Sequence, residues 1–243
     1  MKNARSFALV ALAAGLVFAG CTLYPPLTGS GVLVEGTAGY ENFSIVKAES
    51  GFEVTVIADA SYSLTVTVDD NVLEHVQMEQ NGSTLRIGLD PLYSYRNVTL
   101  KAVVTMPVLS GVELSGASSL IVVGGAAFPP AGAFAAVVSG ASSLMLPRIT
   151  AGSFKVELSG ASRLTAGGSA GKLVAEVSGA SQADLKALVG GDGDLELSGG
   201  SRTWIHLSGL VDAAISGGST LYYAGSPTWG DLEISGGSQL QAY

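Results

Sequence analysis

Val156-Glu157-Leu158-Ser159-Gly160-Ala161-Ser162-Arg163-Leu164 is one copy of a pattern that returns seven times. Its first serines are Ser115, Ser139, Ser159, Ser178, Ser198, Ser216 and Ser235, at steps of 24, 20, 19, 20, 18 and 19 residues. A fixed period near twenty marks a repeat architecture. Aligned on that serine, the preceding residue is always aliphatic (Leu114, Val138, Leu158, Val177, Leu197, Ile215, Ile234). The residue three before the serine is always apolar, and the one between them is Glu in five copies: Glu113, Glu157, Glu176, Glu196 and Glu233. Apolar-polar-apolar alternation is the signature of a strand with one buried face. Glycine and a small residue follow, where the chain bends, and then a second serine. Two positions on, Leu120, Leu144, Leu164 and Leu221 begin another short strand. The variable segments between copies, Gly124-Gly125, Pro129-Pro130, Pro147, Gly167-Gly168 and Gly190-Gly191, are expected as loops.

About twenty residues with two or three short strands make one coil of a parallel β-helix. A lone coil cannot bury its apolar face, whereas coils stacked ~4.8 Å apart can. The expected fold is therefore all-β, a parallel solenoid, with the glycines and serines serving to turn the chain and stack. Composition agrees: 33 glycines, 7% aromatic and 13% charged residues suit a thin aliphatic core. The formal net charge of −8, or −10 without Lys2 and Arg5, excludes nucleic acid as a partner and argues against electrostatic docking on anionic lipid.

Residues 1–20 read as a leader, with Lys2 and Arg5 before an apolar run from Ser6 to Phe18. Phe18-Ala19-Gly20-Cys21 resembles the bacterial lipobox, with Phe18 where Leu is usual. It implies acylation of Cys21, the only cysteine, and membrane attachment through that anchor. Thr22 rather than Asp follows, which by analogy with enteric sorting points to the outer membrane of a host that has one. Residues 21–38 are expected as a tether and 39–243 as the solenoid domain.

Within the domain, Phe43–Val46 and Phe52–Val56 flank Ser50-Gly51 as a degenerate first copy. Ser63–Val68 alternates as a strand, Asp69–His75 is expected as one helical turn capped by Asp69 or Asp70, and Asn81-Gly82 marks a hairpin. Val98–Met106 is a further strand halted by Pro107. This less regular third is expected to cap the solenoid. The last coils carry Trp204, Tyr222, Tyr223, Trp229 and Tyr243, which either blunt the open end or form a contact surface.

The lipobox, the stretch "GFEVTVIADASYSLTVTVDDNVLEHVQMEQNGSTLRIGLD", then "VTLKAVVTMPVLSGVELSGASSLIV" and the recurring Ser-Gly-Ala-Ser together resemble a family of bacterial envelope proteins, the putative auto-transporter adhesins with a head GIN domain. The resemblance spans roughly residues 40–243. It implies a right-handed parallel β-helix on the cell exterior, and it brings no catalytic motif.

Chemistry is sparse. Gly167-Gly168-Ser169-Ala170-Gly171 matches the hydrolase pattern Gly-x-Ser-x-Gly, but that pattern needs a strand-turn-helix setting and a His-Asp pair, and only His75 and His206 exist. Asp192-Gly193-Asp194 echoes a calcium-binding β-roll once, with Leu195 where Asp is required. Two histidines and an acylated cysteine make no His/Cys metal site, and no basic residue recurs in register as lyases need. No cofactor is expected. The one chemical column is Glu157, Glu176 and Glu196, whose carboxylates on successive coils either stand solvated or take up a divalent cation weakly. The function expected is a lipid-anchored, extracytoplasmic, non-catalytic module for binding glycan, matrix or another copy of itself. An envelope carbohydrate-active enzyme and a self-assembling structural component stay open as alternatives.

Overall fold

The computed structural model describes residues 25–123, 128 and 131–243. The leader, Cys21 and the segments Gly124-Gly125 and Pro129-Pro130 lie outside them. The expected parallel solenoid is present, and its coils stack on the serine register. Leu114 pairs with Val138, Val138 with Leu158, Leu158 with Val177, Val177 with Leu197, Leu197 with Ile215 and Ile215 with Ile234, all in parallel. Two columns of strands result. The first leads into the Ser-Gly corner; the second leaves it, through Ser119–Val123, the starts of three long strands, then Arg202–Leu207, Thr220–Ala224 and Gln239–Ala242.

The long strands are Ser143–Leu158, Arg163–Val177 and Gln182–Leu197. Here the structure differs from the expected loops, because Pro147, Gly167-Gly168 and Gly190-Gly191 all lie inside continuous strands. The chain turns without leaving the ladder. In Ser143–Leu158, the buried residues are Leu144 and Leu146, then Ile149 and Ala151, then Phe154, Val156 and Leu158. Strict alternation slips once between Leu146 and Ile149 and again between Ala151 and Phe154. A strand with side chains of period two can keep facing one core around a bend only by such a slip. The pairing register shifts at the first of these slips. With the Ser-Gly corner, each such coil turns three times.

The corner itself requires glycine. Gly116, Gly140, Gly160, Gly179, Gly199, Gly217 and Gly236 all have φ between 64° and 75°, the left-handed region. A methyl on Gly160 would stand 2.5 Å from the Gly140 carbonyl oxygen, and one on Gly179 would stand 2.5 Å from that of Gly160. Those carbonyls accept the amides of the next coil, Ala161 N–H to Gly140 at 2.8 Å and Ala180 N–H to Gly160 at 2.7 Å. The second serines, Ser118, Ser142, Ser162, Ser181, Ser201 and Ser219, form a buried row beneath the corner. Some are partnered, Ser162 Oγ donating to Ser159 O at 2.7 Å and Ser201 Oγ lying 3.1 Å from Ser219 Oγ. The hydroxyls of Ser142, Ser181 and Thr203 have no protein partner.

The degenerate first copy is a true coil. Ile45–Ala48 stacks on Gly111–Leu114 and Glu53–Ala58 on Ser119–Val123. Phe52, fully buried, occupies the place of the second serine. Beneath it, Thr84–Leu89 and Leu100–Met106 add one more parallel layer. The cap is then closed by antiparallel strands: Val76–Asn81 on Thr84–Leu89, Ser63–Asp69 on Leu100–Met106, and Leu33–Ala38 on Ser63–Asp69. Asn81-Gly82 makes the expected hairpin, with Gly82 at φ 57°.

Two expectations in this region are corrected. The tether over 21–38 does not extend to residue 38, because Leu27–Thr28 pairs with Tyr95–Arg96 and Leu33–Ala38 is in the main sheet. The helical turn is a single 3-10 turn, Leu73–His75, whose N-cap is Val72, with no side-chain cap. Asp69, Asp70 and Asn71 instead clamp the incoming strap. Asp69 Oδ1 accepts Gly31 N–H at 2.7 Å and Oδ2 accepts Thr99 N–H at 2.7 Å. Ser30 Oγ donates to Asp70 Oδ1 at 2.5 Å, and Asn71 Nδ2 donates to Thr28 O at 2.8 Å. The N–H groups of Thr99 and Gly31 hold the Asp69 carboxyl below the usual carboxylate range.

Candidate functional site

Inward positions fill the core, and the two outward faces that flank the Ser-Gly corner run the length of the stack. On the first column, Glu157, Glu176 and Glu196 pair in register as expected. They stand along the axis and do not converge. Among the described residues, no three acidic, histidine or cysteine side chains are placed to hold a metal ion. Lys155 compensates part of the row, its Nζ 2.5 Å from Glu157 Oε1. That hydrogen bond and the charges of Glu157 and Glu176 push the lysine above its ordinary value.

Toward the cap the same row turns basic, Glu113 pairing with Lys47 and Lys47 with Arg86. Lys47 Nζ lies 3.6 Å from Glu113 Oε2, and Arg86 lies 2.9 Å from Glu49 Oε2. Burial alone would raise the Glu49 carboxyl, but Arg86 and Lys47 together hold it below its usual range.

The second column presents a different face. One outward row crosses every rung: Thr37, Thr65, Val103, Thr55, Ile121, Met145, Thr165, Asp184, Trp204, Tyr222 and Gln241. It holds a single charged residue, Asp184, and that carboxylate is paired with Lys186 at 3.2 Å. Val103 and Met145 are 42% and 44% exposed, so apolar side chains stand in water on a flat sheet. At the far end Trp204 and Tyr222 stack with centroids 4.9 Å apart and planes 6° from parallel. Lys186 Nζ lies over the other side of Trp204, 5.0 Å from the ring centroid. The neighbouring outward row adds Arg163, Gln182, Arg202, Thr220 and Gln239, a line of planar and hydroxyl hydrogen-bonding groups.

These residues were legible but unread. From Ile121 to Gln241 each lies six positions after a first serine, as Trp204 follows Ser198 and Tyr222 follows Ser216. Extending the repeat alignment one place past the leucine column finds that part of the row, while Thr37, Thr65, Val103 and Thr55 of the cap lie outside the alignment. Trp204 and Tyr222 thus belong to a side face, not to the solenoid's end. Trp229 packs edge-on against Tyr223, and Tyr243 OH donates to Ile205 O at 3.2 Å. The last coil stays open, with Leu232 and Ile234 at inward positions yet 38% and 45% exposed.

The hydrolase-like pattern does not form a site. Ser169 sits inside a strand, in register with Val189, which is in turn in register with His206. Two rungs, ~9.6 Å, separate the serine from the histidine, and the Val189 side chain stands between. His75 is far off in the cap, its ring tilted 49° against that of Tyr93 with centroids 4.4 Å apart. Asp192-Gly193-Asp194 lies in a strand too, and Asp192 Oδ1 accepts the Leu210 amide at 2.9 Å.

Residues 42–227 match the protein family described as "Putative auto-transporter adhesin, head GIN domain". The fold is shared by a putative adhesin of Bacteroides fragilis, 18% identical, with a TM-score of 0.82 over 89% of this chain and 100% of that one. A putative adhesin of Parabacteroides merdae is 14% identical, with a TM-score of 0.70 over 89% of this chain and 98% of that one. A protein of Parabacteroides distasonis described as a putative lipid binding protein is 15% identical, with a TM-score of 0.71 over 90% and 100%. No curated protein matches the chain.

Proposed function

Because the chain belongs to the putative auto-transporter adhesin family with a head GIN domain, we propose that it is a non-catalytic adhesion module of the cell envelope, held there by an acylated Cys21 and working through its side faces. The observation that carries this reading is the outward row of the second column, whose one charged residue, Asp184, is paired with Lys186 and which carries the Trp204–Tyr222 stack. A flat face that places one outward side chain at every rung suits many weak simultaneous contacts with a polymer such as a glycan. The Arg163, Gln182 and Arg202 row supplies hydrogen bonds in the geometry sugars take up. The aromatic edges supply apolar contact, since Lys186 and Tyr222 occupy the faces of Trp204.

The test is a glycan array and a whole-cell binding assay with the full chain and with W204A/Y222A. The variant should bind at least tenfold more weakly while keeping its far-ultraviolet dichroism. Equal binding by both proteins removes this face as the site. A second reading, end-to-end assembly with another copy, draws on the exposed Leu232 and Ile234. Light scattering of L232K/I234K tests it, since that variant should be smaller than the parent if copies join there.

A further inference from the structure

We propose that the N-terminal tip of the solenoid, around Leu92, rests on the lipid bilayer, so that the long axis points away from the membrane. The proposal builds on the acylated-Cys21 reading above. Leu92 is 71% exposed, more than any other large apolar side chain among the described residues. It lies in the segment 90–99, which joins Thr84–Leu89 to Leu100–Met106 where the regular coils have their Ser-Gly corner. The turn is held, not loose. Asp90 Oδ1 accepts Leu92 N–H at 2.9 Å, and Tyr95 OH donates to Asp90 O at 3.0 Å. Burying that side chain against something apolar would be favourable.

The incoming chain ends at this same spot. Leu27 N–H donates to Ser94 O at 2.8 Å, and Leu27–Thr28 pairs with Tyr95–Arg96. Exposed Pro25 and Pro26 precede Leu27, and exposed Pro91 precedes Leu92. From Leu27 back to Cys21 is six residues, a reach of at most ~20 Å. Had the tether run to residue 38, seventeen residues would have let the domain wander. The clamp at Asp69, Asp70 and Asn71 removes that freedom and fixes which end lies near the anchor. Arg96 is exposed here, and the Asp90 carboxylate is already engaged by an amide.

Acylation raises the local concentration of bilayer, so a single leucine with three prolines is enough to bias the orientation. The Trp204–Tyr222 pair would then stand about seven rungs, ~34 Å, further from the membrane than the Leu100–Met106 layer.

The test uses the full chain, made in a bacterial host and reconstituted into vesicles of phosphatidylethanolamine and phosphatidylglycerol. A nitroxide is attached at L92C or, as a distal control, at Q241C. The label at 92 should be at least fivefold less accessible to a water-soluble nickel chelate than the label at 241. Mass spectrometry of the N-terminal peptide reports acylation separately. Equal access at both sites on an acylated protein overturns the docking and leaves the anchor standing. A Cys21 without acyl chains overturns the anchor and the docking together.

Discussion

The two ends of this solenoid are built from the same kind of coil, yet one is sealed and the other is open. At the N-terminal end the parallel stack gives way to antiparallel strands, a hairpin and a clamped strap, and Phe43, Phe52, Leu64 and Leu85 are almost fully buried. In the coil of Thr228–Ile234 the repeat pattern continues without such strands, and the inward Leu232 and Ile234 are partly exposed. A repeating coil satisfies its neighbours but cannot terminate itself, because every rung presents a fresh edge and a fresh apolar patch. Sealing an end needs residues that depart from the pattern, as Phe52 does in the serine's place.

That contrast can be attacked at several points. The largest effect is expected from Phe52→Ser, which restores the motif at the sealed end but empties a ring-sized volume. A loss of about 4 kcal/mol, read from the urea midpoint, is expected. Gly160→Ala in the mid-stack combines a left-handed φ with a methyl 2.5 Å from the Gly140 oxygen, and should cost about 3 kcal/mol. Gly237→Ala is the matched control near the open end: its φ is 80°, but nothing lies within 4 Å, so only about 1 kcal/mol should be lost.

The strap is expected to respond to acid. The Asp69 carboxyl is lowered in the folded protein, so its contribution is complete above the ordinary carboxylate pKa of about 4. It is lost as pH falls through the lowered folded value. Protection of the Gly31 and Thr99 amides, measured against their intrinsic exchange rates, should therefore fall below that range and hold above it. D69N should show the lowered protection at neutral pH. At the open end, L232K/I234K should shift the urea midpoint by less than about 1 kcal/mol, because these side chains are already largely hydrated. The smallest effect belongs to Thr203→Val, which removes a buried hydroxyl without a protein partner. It should be neutral or stabilising by up to about 1 kcal/mol in the same melt.

Much of the regular region was legible because a twenty-residue period ties residues far apart in sequence to one place in a stack. The glycine column, the buried serines and the Glu157–Glu176–Glu196 row all lie where the alignment put them. The bends were not legible: Pro147, Gly167 and Gly190 resemble loop residues locally, but the ladder continues through them because neighbouring coils supply the hydrogen bonds. The strap was missed for a related reason. Pro25-Pro26 and Thr28–Gly31 carry linker chemistry, and only distant partners, Tyr95–Arg96 for Leu27–Thr28 and the carboxylates of Asp69 and Asp70 for Ser30 and Gly31, hold that stretch in place.

The amino-acid sequence by itself determined the period, the inward and outward sides of each motif strand, and the corner that only glycine can make. These are local or repeated properties, and each copy reinforces the others. The tertiary structure decided which end is sealed, how the incoming chain is clamped, and that Thr37, Thr65 and Val103 of the cap continue the outward row of the repeat. Such features depend on contacts between segments with no common pattern, where closing a long loop must be repaid by a few specific hydrogen bonds and buried side chains.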